Sequence, residues 1–111
     1  MDRDAISRYI ETHLDEHVRK IQALVRQPSV SLERQGLTEC AELVRRHLAE
    51  LGCQETALID VGDGYPGVWA RLDSGAAKTI LYYSHYDVRP VGPEPWDWPP
   101  FGAELTEMPP Y

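Results

Sequence analysis

From its start the chain places apolar residues at steps of three and four. Ile6, Tyr9, Ile10, Leu14, Val18, Ile21, Leu24 and Val25 make one stripe, which predicts an amphipathic helix over residues 4–26. Asp2 or Asp4 can cap its start, and Asp15 with Arg19 and Glu16 with Lys20 are supporting i,i+4 pairs. Gln27-Pro28-Ser29 ends it, because the residue before a proline is pushed out of the α region. A second helix runs from about Leu37 to Leu51, with Leu37, Ala41, Val44, Leu48 and Leu51 on one side and Gly52 as a C-terminal stop.

The period then shortens to two. Residues 55–61 alternate, with Ala57, Ile59 and Val61 facing one way, and residues 67–72 alternate with Val68, Ala70 and Leu72 inward. The Gly-rich segment from Gly62 through Asp63 and Gly64 to Gly67 predicts a hairpin connection between them. Residues 79–84 are nearly apolar throughout, as expected of a central strand covered on both faces. These elements predict an α/β fold class: two N-terminal helices, then strands of an open mixed sheet. After Val88 the character changes. Seven of the nine prolines fall between Pro90 and Pro110, interleaved with Trp96, Trp98 and Phe101, which predicts a long irregular loop held by aromatics.

Composition narrows the classes further. A chain of 111 residues, 42% apolar and 26% charged, is sized for one small globular domain and not for a two-domain enzyme. The formal charge of −7 argues against nucleic acid or an anionic membrane as partner. That charge is uneven: residues 1–53 carry 8 Lys/Arg against 9 Asp/Glu, and residues 54–111 carry 3 against 9. The amphipathic start shows neither a signal peptide nor a membrane span, so a cytoplasmic location is expected. Cys40 and Cys53 bracket helical sequence, and thirteen residues at about 1.5 Å each hold them some 20 Å apart. A disulfide needs Cα atoms within about 7 Å, so both are expected as free thiols.

Three groupings could carry chemistry. His85-Tyr86-Asp87 stands at the end of the apolar run, where open α/β folds bind ligands. On an extended backbone the two side chains point to the same side, so His85 could ligate a metal while Asp87 orients the site. A hydrogen-bonded structural histidine at a strand end is the alternative. His13-Leu14-Asp15-Glu16-His17 matches the H-x-x-E-H pattern of inverted zinc peptidases, two histidines one turn apart with a glutamate base. Such sites take a third ligand from a distant helix, and Glu94, between Pro93 and Pro95, cannot lie in one. Half-buried helix histidines account better for the pair. His47, beside Arg45 and Arg46, is expected to face solvent. Trp96 and Trp98 either hold the proline-rich loop to the body or line a cleft, while Tyr82 and Tyr83 belong to strand packing.

The run Tyr83-Ser84-His85-Tyr86-Asp87-Val88-Arg89-Pro90-Val91, followed by Trp96 and Pro99-Pro100-Phe101, resembles the zinc-dependent aminoacylase and carboxypeptidase family of metallopeptidases. Within that family it is most similar to carnosinase-type and related bacterial dipeptidases. The resemblance extends upstream, through the helix ending Gln27-Pro28-Ser29-Val30-Ser31, the helix ending Leu51-Gly52 and the strand pair. It implies that residues 1–111 are the N-terminal portion of a three-layer α/β/α catalytic domain, without a complete second domain. It also implies two metal ions, usually zinc, with His85 binding one of them and Asp87 positioning the site. The reaction implied is hydrolysis of a peptide or N-acyl bond by metal-activated water, with a glutamate as general base. The substrate would be a small peptide or N-acyl amino acid, and a homodimer stays open for the complete enzyme.

Beyond His85 and Asp87 the chain departs from the family. The family's bridging aspartate, adjacent Glu-Glu pair, further carboxylate and final histidine come from later sequence, and no Glu-Glu pair occurs here. Thr106-Glu107-Met108-Pro109-Pro110-Tyr111 stands where an acidic-Gly-x-aromatic-x-Arg-Gly segment is expected. An N-terminal fragment, inactive alone, is therefore the expectation. A non-catalytic truncated remnant or binding domain of the same topology is the competing one.

Overall fold

The computed structural model describes residues 2–62 and 64–107, so Met1, Asp63 and the segment 108–111 lie outside the described residues. Three helices, α1 (Arg3–Thr12), α2 (Leu14–Arg26) and α3 (Leu37–Glu50), precede two strands, β1 (Glu55–Asp60) and β2 (Pro66–Arg71). A one-turn 3-10 helix at Ser31–Glu33 sits between α2 and α3.

The first expected helix is interrupted at His13. Asp2 caps α1 as anticipated, its carboxylate accepting from the Asp4 and Ala5 amides at 3.1 Å each. At the other end, Thr12 Oγ1 donates to the Arg8 carbonyl at 2.8 Å and also lies 3.1 Å from the Tyr9 carbonyl. His13 Nδ1 lies 2.8 Å from that same Tyr9 oxygen. Side chains that take up helix carbonyls bend helices, and His13 leaves the α region at φ −112°, ψ 12°. The apolar stripe runs through the break, although no residue of α1 or α2 is buried: periodicity records a face's readiness to be covered and not local side-chain competition. Gln27, ahead of Pro28, is extended and ends α2 as expected.

Helix α3 covers one face of the hairpin. Leu37, Cys40 and Ala41 are buried on it and, with Val30, form the apolar core among the described residues. Arg45 ties the layers: its guanidinium pairs with Glu42 and donates to Thr56 Oγ1 on β1 at 3.2 Å. Lys20 reaches from α2 to Glu50 on α3 at 4.0 Å. The strands pair antiparallel, with Thr56 opposite Ala70 and Leu58 opposite Val68. Val68 and Ala70 face α3 as expected, whereas Ala57 and Ile59 share the opposite, more exposed face with Trp69. The two cysteines are free, with Cys40 buried, and His47 is half-buried rather than solvent-facing.

The expected third strand is not formed. The sheet of the described residues has two strands in the order β1-β2, so the open mixed sheet is replaced by a hairpin. Ile80, Leu81, Tyr82 and Tyr83 are 80–90% exposed, which also corrects the assignment of both tyrosines to strand packing. The reason is that a strand exists through its partners. Apolar character measures readiness to be covered, and among the described residues no second strand lies beside 79–84. The radius of gyration, 16.9 Å, exceeds the roughly 13 Å of a compact chain this long, and the thinnest dimension is 20 Å. This chain by itself is therefore expected to self-associate and to unfold over a broad range. Leu81→Lys with Tyr83→Lys should suppress the association, as read by light scattering, because charge interrupts an exposed apolar segment. A sharp, cooperative thermal transition of a monomer would contradict it.

Candidate functional site

The His85-Tyr86-Asp87 segment is fixed in the fold through its middle residue. Ser29, 3% exposed, follows Pro28 at the end of α2, and its hydroxyl donates to the Tyr86 carbonyl at 2.8 Å. The Ser29 carbonyl in turn accepts from the Val88 amide at 2.9 Å, and Val30 and Val88 form a parallel bridge. The Cys40 thiol lies 3.9 Å from the same Tyr86 oxygen. Burial pushes that thiol up from its ordinary value, which keeps it protonated as a donor and makes it a poor nucleophile. The Tyr86 phenol donates to the Pro66 carbonyl on β2 at 2.7 Å.

With Tyr86 held inward on both its carbonyl and its ring, its neighbours are displayed outward. His85 Nδ1 and Asp87 Oδ1 are 3.8 Å apart, with side chains 74% and 41% exposed. The spacing of two thus brings imidazole and carboxylate to one side. The Tyr83 ring meets His85 edge-on, with ring centroids 5.5 Å apart. Beside them opens a cavity of about 540 Å³, within the size range of ligand sites. Leu24, Val44 and Val88 make part of its wall, Trp96 and Phe101 come from the proline-rich loop, and His85 stands in the lining. Trp96 thus lines a cleft. The loop is anchored by Gln22 Nε2 donating to the Ala103 carbonyl at 2.8 Å and Arg26 Nε donating to the Gly102 carbonyl at 3.1 Å.

The residues present supply one imidazole and one carboxylate. A catalytic zinc takes three protein ligands, and among the described residues no group of three or more His, Cys, Asp or Glu could hold a metal ion. The described residues do not fit a metal centre by themselves. The His13–His17 pair does not supply one either. Both residues are half-buried, His13 stacks on Tyr9 at 4.1 Å, and the two rings have centroids 6.3 Å apart, with His13 at the helix break and His17 in α2.

Sequence reasoning gave Ser29 and Cys40 no part in the site. Ser29 carried a signal, standing in the Pro-Ser-Val-Ser segment after a helix end, but a lone serine says nothing of a carbonyl 57 residues away. Among the described residues, no helix is long and apolar enough to cross a membrane.

No family model and no solved structure matches the chain. Among curated proteins, it is 36% identical over 85 residues to the succinyl-diaminopimelate desuccinylase of Hahella chejuensis, across 76% of this chain and 21% of that protein. It is 38% identical over 85 residues to the succinyl-diaminopimelate desuccinylase of Paracidovorax citrulli, across 70% of this chain and 21% of that one. The chain is thus similar, over about a fifth of their length, to relatives named for removing a succinyl group from succinyl-diaminopimelate.

Proposed function

We propose that this chain is a portion of a metal-dependent hydrolase that cleaves an N-acyl or peptide bond. His85 is its contribution to a metal centre and Asp87 the carboxylate that positions it. The observation that carries the reading is the clamped Tyr86 carbonyl, which displays His85 and Asp87 together beside an apolar cavity. The names of the similar proteins support the acyl-removing chemistry. Zinc, two ions in the complete enzyme, is the proposed cofactor, and its remaining ligands would come from further chain. The cavity wall of Trp96, Phe101 and Val88 would take the apolar part of a small acylated amino acid or peptide. Carnosinase-type dipeptide cleavage is the finer version of the same proposal, as are a cytoplasmic location and a homodimer. A remnant or binding domain without catalysis is the second reading, favoured by the shortage of metal ligands among the described residues.

Two measurements test it. Zinc titrated calorimetrically into this chain is expected to bind very weakly or not at all. Tight binding lost in His85→Ala would mean that the chain completes a metal site alone. The longer protein, loaded with zinc, is expected to release free amine from N-succinyl or N-acetyl amino acids or from dipeptides. Failure to hydrolyse any of them would overturn the hydrolase reading and favour the non-catalytic one.

A further inference from the structure

We infer that Ser29 is the positioning residue of the His85/Asp87 pair, acting through the Tyr86 carbonyl; its catalytic consequence rests on the hydrolase reading above. Ser29 holds the segment at two points on one edge. Its hydroxyl donates to Tyr86 O at 2.8 Å, and its own carbonyl accepts from Val88 N at 2.9 Å. Asp87 lies between these two bonds, and His85 is the residue before Tyr86, whose carbonyl makes the first of them.

The hydroxyl of a residue only 3% exposed, directed at a backbone carbonyl, is a built contact and not a surface accident. The Cys40 thiol lies near the same oxygen at 3.9 Å, a longer and weaker contact, so Ser29 is the dominant donor. His85 and Asp87 themselves are well exposed, and the direct His85–Asp87 approach of 3.8 Å is beyond hydrogen-bond length. What holds the two side chains in register is therefore the backbone beneath them, and Ser29 is the side chain that bonds that backbone most closely, beside the Tyr86 phenol on Pro66. Groups that orient a ligand without touching the reacting atoms typically cost 10- to 100-fold in affinity or activity when removed.

The experiment compares Ser29→Ala, Ser29→Thr and Leu37→Ala in the full chain by amide exchange and by the NMR signals of His85 and Asp87. Ser29→Ala is expected to speed Val88 amide exchange by about tenfold or more relative to the α3 amides, and to move the His85 and Asp87 signals. Ser29→Thr, which keeps the hydroxyl, is expected to restore both. Leu37→Ala loosens the core but removes no hydrogen bond to the Tyr86 segment, so it should raise Val88 exchange only in proportion to α3. Unchanged Val88 protection and unchanged His85 and Asp87 signals in Ser29→Ala would overturn the inference. In the longer protein, Ser29→Ala is expected to lower kcat 10- to 100-fold with KM little changed. Full kcat in Ser29→Ala would overturn the catalytic consequence. A wild type without hydrolysis but with the exchange response intact would instead defeat only the hydrolase reading.

Discussion

On the hydrolase reading proposed above, replacing His85 with alanine is expected to lower kcat/KM of the longer, zinc-loaded protein by roughly 100-fold or more while leaving the thermal midpoint of the present, metal-free chain nearly unchanged. The asymmetry comes from where the side chain sits. It is 74% exposed, so its removal opens no cavity and leaves no buried group unpaired, and such substitutions usually fall within about 0.5 kcal/mol. Loss of an imidazole donor from a metal-dependent hydrolase removes several kcal/mol of transition-state stabilisation, at about 1.4 kcal/mol per tenfold in rate. Steady-state kinetics beside thermal unfolding reads both halves. An alanine variant that keeps its turnover would return His85 to the structural role that is its alternative.

Gly36→Ala is expected to cost about 2–5 kcal/mol and to lower the midpoint by on the order of 10 °C or more. Gly36 lies at φ +68° as the residue before α3, where an L side chain is strained. A Cβ there would also run into the Pro28 carbonyl and approach Gln27 Nε2 at 2.9 Å. The first obstacle is backbone and cannot rotate away. Gly52 is the contrast, since at φ +101° it has open space around it and Gly52→Ala should lose only the conformational part, about 1–2 kcal/mol. Denaturant midpoints for the two variants separate clash from backbone strain. Equal losses would mean that the loop yields at Pro28. Because that loop also carries Ser29, Gly36→Ala should disturb the His85 signals as well.

The features legible in the sequence are those that one stretch of chain settles for itself. The helical span of residues 4–26, the cap at Asp2, the stop at Pro28 and the hairpin are local, and apart from the break at His13 they stand in the structure with shifts of a residue or so. The break at His13 is hidden because Thr12 and His13 sit within a regular stripe and act through hydrogen bonds to carbonyls. Residues 79–84 mislead because their apolar character signals burial, which only neighbouring strands can confer. At the site, the one-sided placement of His85 and Asp87 is legible from their spacing. The contacts beneath Tyr86 are not, since nothing in local sequence links Ser29 or Pro66 to it.

That clamp also sets the order of events in folding. The contacts that fix Tyr86 span 57 residues to Ser29, 46 to Cys40 and 20 to Pro66. Each closes a loop whose entropy is lost before the bond returns anything, so helices and hairpin form first and His85 and Asp87 come into register last. The same order runs backwards on mild destabilisation: the pair loses its geometry while the helices still report a folded protein.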